Sequence, residues 1–321
     1  MTSRTLPVAI LLATSAVPLC GQPGQVGGPV IGFVFDGSVR ALRPILGIPG
    51  ASTLGDPLDA GFQISSVTVA PHQNSAIAID SRGTLHLLRL GSGVAEVQCG
   101  ACPLTATGVT FSPAGSAVAL YAAGRVQIVT GLPDAPAAGA SFEVRGSDAP
   151  HGGSAAPVMA LSDDGDWLLV SALVSVDLLA ANGGPRQLLK TGAYALVAFA
   201  AGGHDAAVAD FRRSALTVIR DVAGASTEQP LAVPEGMRHV RALAFSSDGS
   251  RLFLANPAER SVAVVEIASG TLKTVACDCA PAELTAMGKV MRLDEGLAGP
   301  LWLLDAGGTA EPRVVFVPAA Q

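Results

Sequence analysis

The sequence predicts an all-β fold, and within that class a β-propeller. A sequence repeat of alternating apolar residues, interrupted by glycine-rich turns, recurs about six times along the chain. A repeat of this length is typical of propellers and solenoids. Helical periodicity is nowhere sustained. Only 14% of the 321 residues are charged, well below the usual quarter, so most strands should be buried on both faces.

Each copy of the repeat reads as short strands separated by tight turns. VTFSPAGSAVALY from Val109 and VRALAFSSDGSRLFLA from Val240 are typical, and VMRLDEGLAGPLWLLD from Val290 is the most divergent copy. Glycine and asparagine reach positive φ at least cost. We therefore expect the turn between the first two strands of the six copies at Asn74, Gly115, Gly165, Gly203, Gly249 and Gly299. Their spacing of roughly 40–50 residues is that of four-stranded propeller blades.

The two ends of the repeat region suggest how the ring closes. Residues 30–47 match the third-strand and fourth-strand part of a copy, and they precede the first complete copy. Because an unpaired sheet edge invites aggregation, we expect this hairpin to complete or extend the blade built by residues 284–319. The prediction is six blades, closed by pairing of the N- and C-terminal strands. Seven blades is the alternative, if the hairpin forms a blade of its own.

The first 21 residues have the character of a secretory signal peptide, followed by a single propeller domain over residues 22–321. One arginine precedes a short apolar run that is too short to span a bilayer comfortably. Cys20 ends this run, so a lipoprotein is the minor alternative. No later stretch approaches the ~20 apolar residues of a transmembrane helix. We expect a secreted or periplasmic protein without a membrane span.

Three copies of the repeat resemble those of a known class of protein. VTFSPAGSAVAL, MALSDDGDWLLV and LAFSSDGSRLFLA are similar to the degenerate WD-like or YVTN-type repeats of bacterial secreted β-propellers. The resemblance covers residues 30–319 and implies the propeller fold. It implies no particular activity, because enzymes, binding platforms and scaffolds share such folds.

Four cysteines remain after removal of the leader, as Cys99 with Cys102 and Cys277 with Cys279. Both pairs fall where a fourth strand ends and the chain crosses to the next blade. An even cysteine count in an exported chain favours disulfides within each pair. Free thiols and a four-cysteine zinc site are the alternatives. Because the two pairs belong to different blades, a shared metal ion is the less favoured of the two.

Two further groups of residues have a structural interpretation. Asp163, Asp164 and Asp166 resemble a calcium loop, but their place in the repeat is that of a hairpin turn, where Asp and Gly are favoured. Trp167 and Trp302 align with each other inside the predicted second strand. This shared position predicts packing within the blades instead of a sugar-binding platform.

Residues near the starts of the first strands are the candidates for ligand contacts, because propellers often gather such residues around the central channel. These candidates are Tyr194, Arg238, His239, Arg241, Lys289 and Arg292. They would make one mouth of the channel cationic, suited to a small anionic ligand or an acidic peptide. The alternative is ordinary surface charge on loops.

The sequence contains no GxSxG elbow, P-loop, dinucleotide fingerprint or paired-histidine motif. The net charge of −6 disfavours nucleic acid as a partner, since binding requires neutralised phosphates. We expect an exported, non-catalytic binding or interaction scaffold, monomeric and without a cofactor. Its partner would be a protein, a peptide or a small anionic ligand. The alternative is a hydrolase or lactonase with its site at the central channel.

Overall fold

Seven antiparallel sheets form the blades of a β-propeller in this computed structural model, which describes residues 28–144, 156–192, 195–294, 299–307 and 311–319. The propeller predicted from the repeat is confirmed. Six blades have four strands and the first has three. The count is therefore seven, the alternative that the N-terminal hairpin left open.

The strands follow one another in chain order within each blade. Blade 1 contains β1 (Val30–Asp36), β2 (Ala41–Ile48) and β3 (Ala51–Leu54). Blade 2 contains β4 (Ile64–Val69), β5 (Ser75–Asp80), β6 (Leu85–Leu90) and β7 (Val94–Val97). Blade 3 contains β8 (Gly108–Phe111), β9 (Ala117–Ala122), β10 (Arg125–Thr130) and β11 (Ala137–Glu143). Blade 4 contains β12 (Met159–Leu161), β13 (Trp167–Ser171), β14 (Ser175–Ala180) and β15 (Arg186–Lys190).

The last three blades have the same organisation. Blade 5 contains β16 (Ala195–Phe199), β17 (Ala206–Asp210), β18 (Ala215–Arg220) and β19 (Thr227–Leu231). Blade 6 contains β20 (Ala242–Phe245), β21 (Arg251–Asn256), β22 (Ser261–Glu266) and β23 (Leu272–Ala276). Blade 7 contains β24 (Thr285–Met287), β25 (Val290–Arg292), β26 (Leu301–Asp305) and β27 (Arg313–Val317). Among the described residues, a 3-10 turn at Met237–His239 is the one helical element, and no helix could cross a bilayer.

The core lies between neighbouring blades and on both faces of the second and third strands. In β21 the side chains of Leu252, Phe253 and Leu254 are all fully buried, because blades 5 and 7 cover the two faces of this sheet. Continuous Val, Leu and Ala runs in the second strands therefore need no polar face. This arrangement explains the low share of charged residues.

A buried Asp or Asn ends the second strand in several blades. Asp80, Asp210 and Asn256 each accept hydrogen bonds from backbone N–H groups two to four residues later, which closes the following turn. Asp36 at the end of β1 does the same with the N–H of Ser38. The residue four positions after the Asp or Asn has positive φ in three of these turns: Arg40, Ser214 and Arg260. Because a buried Asp or Asn ends the second strand in blades 2, 5 and 6, Asp36 identifies β1 as the second strand of blade 1. This blade therefore has no first strand.

The N-terminal hairpin does not complete blade 7, which contradicts the expected pairing of the terminal strands. Residues 30–47 pair with each other and with β3, and blade 7 already has four strands of its own. The ring closes instead by side-chain packing. Val34 and Ile45 pack against Met287 of blade 7, and Phe33 packs against Ile64 of blade 2.

The predicted turn register is confirmed in three blades and shifted in three. Gly115, Gly165 and Gly249 have φ of 68, 76 and 69°. The positive-φ residue is Gln73 instead of Asn74, Gly202 instead of Gly203, and Gly288 instead of Gly299. The largest shift arises in blade 7, because its first strand has only three residues and was not recognised. For the same reason Trp302 lies in the third strand of its blade, whereas Trp167 lies in the second.

Candidate functional site

The first strands surround a central channel. Its walls come from β4, β8, β12, β16, β20 and β24 and from the hairpin turns that follow them, and they enclose a cavity of about 580 Å³. That volume is in the range of small-molecule sites. No residue of blade 1 lines the cavity, as expected for a blade without a first strand. Six strands therefore surround the channel of a seven-bladed ring.

The channel wall is mainly apolar. Phe111, Met159, Leu161, Phe199 and Phe245 contribute large side chains to it. Hydroxyl groups are added by a smaller set of residues on the same walls: Thr68, Thr110, Thr285, Ser246 and Ser247. Such a surface suits an apolar ligand body with a small number of polar contacts.

Two basic side chains, His72 and Lys289, are the titratable groups among the described residues of the channel lining. Both are exposed, and both follow the end of a first strand, in the turns β4–β5 and β24–β25. We call this end of the channel the hairpin mouth. Aspartate and glutamate are absent from the described lining. The polar end of the cavity is therefore basic, although the whole chain is acidic.

The missing first strand of blade 1 brings the hairpins of blades 7 and 2 into direct contact. The N–H of Gly288 donates a hydrogen bond to the carbonyl of Pro71, at 3.0 Å. His72 and Lys289 are the next residues along the chain from these two bonded groups. They therefore lie on adjoining turns at the hairpin mouth, although they are far apart in the sequence.

The side chain of Gln73 occupies the place that a first strand of blade 1 would have. Its Oε1 accepts the N–H of Phe33 in β1, at 2.8 Å. Its Nε2 donates to the carbonyls of Ala70, at 3.0 Å, and of Ala286 in β24, at 3.3 Å. A Cβ on Gly32 would lie 2.6 Å from this Oε1, so the side chain is packed directly onto the edge of β1. One amide thus links blades 7, 1 and 2.

The aspartates of the β12–β13 turn lie at the same mouth, and they form a turn as predicted. Oδ1 of Asp163 accepts the N–H of Ala114 in blade 3, at 2.6 Å, and its Oδ2 accepts the N–H of Gly202 in blade 5, at 2.8 Å. Asp163 therefore joins three consecutive blades. This role was not predicted, because a single copy of the repeat does not show which neighbours a turn side chain reaches.

Asp164 in the same turn is bonded to Ser162 and to His204, whose Nε2 lies 2.7 Å from Oδ2. Burial by itself would raise the pKa of Asp164, but the hydrogen bonds from Ser162, the N–H of Asp166 and His204 outweigh it and lower this pKa. The carboxylate is thus held ionised by its own turn and by His204 of blade 5. His204 also packs edge-on against Trp167, which is consistent with a packing role for that tryptophan.

The predicted contact residues are spread over different parts of the molecule. Lys289 lines the channel at the hairpin mouth. Arg238, His239 and Arg241 are exposed and precede β20, so they lie toward the opposite end of the ring. Arg292 in β25 pairs with Glu283 at 2.8 Å. Tyr194 lies outside the described residues. The structure therefore does not gather the five described side chains at one mouth, and ligand contact by any of the six residues stays a prediction.

Both cysteine pairs are at disulfide distance, Cys99 with Cys102 and Cys277 with Cys279. The first pair follows β7 and the second follows β23, as expected for crossings between blades. The sulfurs of the second pair are buried against blade 7. No group of three or more His, Cys, Asp or Glu side chains in the described residues is arranged to hold a metal ion.

Sequence reasoning missed His72 and Gln73, the two residues that complete the hairpin mouth. Gln73 stands at the positive-φ turn position that glycine occupies in blades 3, 4 and 6. A non-glycine residue at a turn where other copies carry glycine was the one sequence feature that could have identified Gln73. The feature was missed because the turn position was assigned to Asn74, one residue too late.

The sequence matches no family model and no curated protein. Its fold, however, is similar to solved structures. A functionally unknown protein from Desulfotomaculum acetoxidans DSM 771 superposes with a TM-score of 0.57 at 14% identity, covering 90% of this chain and 100% of that one. A putative 6-phosphogluconolactonase from Bacteroides fragilis NCTC 9343 superposes with a TM-score of 0.56 at 15% identity, covering 90% of this chain and 97% of that one. At these identities the likeness shows the fold alone, and that fold is the β-propeller.

Proposed function

We propose that this protein is an exported, non-catalytic β-propeller that binds a small ligand in its central channel. The observation that carries the proposal is the wall of the channel, which is mainly apolar and has its basic side chains at one mouth. Such a cavity offers a ligand buried contact area and a direction of entry. A protein or peptide partner would need a broad docking surface, and the channel favours the small ligand among the expected partners.

An export location is supported by the cysteine pairs and the leader. Two cysteine pairs at disulfide distance are typical of proteins that fold in oxidising compartments. The apolar run before Cys20 has the length of a signal peptide. A monomer remains our expectation.

The alternative, a hydrolase or lactonase, is less well supported. Proton transfer in such reactions needs a positioned acid and base within hydrogen-bond reach of the substrate. In the described lining His72 and Lys289 are the side chains that could take this role, and no carboxylate orients the imidazole of His72. The similarity to a putative lactonase extends to the fold, and folds of this kind host unrelated functions.

The proposal is tested with the neutral fluorophore Nile red, titrated into the full chain. We expect saturable binding that is lost in a Thr110→Trp variant, because Thr110 lines the channel and the indole would fill it. Thr227→Trp is the matched control, since Thr227 is exposed on the outer strand β19. Equal binding by the two variants would refute the channel as the site. Lactone hydrolysis that is lost in His72→Ala would instead support the enzyme.

A further inference from the structure

His72 and Lys289 form a basic rim at the hairpin mouth, and this juxtaposition depends on the incomplete first blade. The hydrogen bond from Gly288 to Pro71 joins the two turns that carry them. In a ring with seven first strands, another strand and its turn would separate blades 7 and 2. Both rim side chains lie at the edge of the apolar cavity.

Neither rim side chain has a carboxylate partner among the described residues, since neither takes part in an ion pair there. Asp305, which borders Lys289 on the outer side of blade 7, is paired with Arg313 at 3.1 Å.

Three aspartates of the other hairpin turns have hydrogen-bond partners of their own. Both oxygens of Asp163 accept backbone N–H groups, and Asp164 is bonded to His204. Asp248 accepts hydrogen bonds from Ser246 and Ser250, and these lower its pKa to about 2. Asp163 and Asp164 are thus bonded to groups of neighbouring turns, and Asp248 is bonded within its own turn. None of the three lines the cavity, whose described titratable groups are both basic.

We propose that the basic rim binds the carboxylate of an amphipathic acid whose apolar chain enters the channel; this inference rests on the proposed binding function and specifies its ligand. One lysine beside one imidazole matches a single negative charge. The hydrogen bond of an ammonium to a carboxylate is about twice as strong as one between neutral groups. Phe111 and Phe245 are lining residues of the cavity beyond the rim, and the apolar chain would pack against them.

Dodecanoate and dodecanol separate the contribution of the head group from that of the chain. Both compounds are titrated against the full chain loaded with Nile red, and the displacement gives a Kd for each. The charge is removed by Lys289→Met, which keeps an unbranched side chain at an exposed position. Lys190→Met is the matched control, because Lys190 is exposed on β15 and is not part of the channel lining.

We expect Lys289→Met to raise the Kd for dodecanoate about tenfold, or about 1.4 kcal/mol, and to leave the Kd for dodecanol within about twofold. Lys190→Met should change neither. Equal weakening of both ligands, or no change for dodecanoate, would overturn the inference while leaving the channel as a binding site. Absence of Nile red binding to the unaltered protein would overturn the proposed function itself.

Discussion

Replacing Gln73 by alanine should weaken the contact of blade 1 with blades 7 and 2. The side chain gives the N–H of Phe33 its hydrogen-bond acceptor and donates to Ala70 and Ala286. Phe33 is 5% exposed, so water does not readily replace the lost acceptor. Alanine keeps the Cβ and with it the backbone strain of the positive φ. The substitution therefore isolates the contribution of the amide.

The expected loss of stability at this contact is about 1–3 kcal/mol, the cost of leaving a buried amide without its partner. A Gln73→Gly variant loses the same bonds, but it also relieves the strain at φ 60°, which costs a non-glycine residue about 1–2 kcal/mol. Greater chain entropy in the unfolded state cancels about 0.4–1 kcal/mol of this relief. The glycine variant should thus be less destabilised than the alanine variant.

Native-state hydrogen exchange of the segment that contains β1 measures this effect directly. Because each 1.4 kcal/mol is a factor of ten, exchange in the alanine variant should be about 5- to 150-fold faster. Asn74→Ala is the control, since Asn74 is exposed in the same turn and its side chain makes no bond to another blade among the described residues. If Gln73→Ala and Asn74→Ala exchange at the same rate, the amide does not hold blade 1 and the reasoning is wrong.

Three further predictions concern stability. Asp163→Ala should destabilise the fold by about 1–3 kcal/mol, because it removes two hydrogen bonds to blades 3 and 5, each worth about 0.5–1.5 kcal/mol. Urea unfolding should show the exposed Asp166→Ala control to be nearly neutral, and equal midpoints for the two variants would contradict the role of Asp163. Hydrogen bonds, foremost from the N–H of Thr84, lower the pKa of Asp80 from 3.8 to about 2. Its stabilising contribution should therefore be full above pH 4 and fall as the pH drops toward 2, with a shallower acid transition in Asp80→Asn; an identical transition would argue against it. A thiol assay on the denatured protein without its leader should detect four cysteines only after reduction, and four reactive thiols before reduction would exclude the disulfides.

The repeat predicted the six complete blades well, because each of them has the first strand and the turn that form the recurring phrase. Blade 1 lacks that strand and that turn, so its residues match only part of a copy. A partial match was consistent both with an extension of blade 7 and with a separate blade. The buried Asp36 and the positive φ of Arg40 show that the blade is separate. They repeat the end of the second strand in blade 6, where Asn256 is followed four residues later by Arg260 with positive φ.

The candidate site was less predictable than the fold for a physical reason. Lys289 was identified from its charge, but its neighbour His72 lies in the hairpin on the other side of an incomplete blade. The two residues are close because blade 1 has no first strand. No residue of the sequence marks this missing strand, so the sequence alone did not predict that the two turns adjoin. The cationic mouth was accordingly expected at the starts of the first strands, whereas the basic rim lies at their ends.

The most direct test of this account is a crystal structure of the protein with dodecanoate bound. We predict that the alkyl chain lies between Phe111 and Phe245 and that the carboxylate contacts Lys289 and His72 at the hairpin mouth. The same structure should show the amide of Gln73 on the edge of β1. A chain bound outside the channel, or a first strand filling the gap in blade 1 and separating His72 from Lys289, would contradict the account.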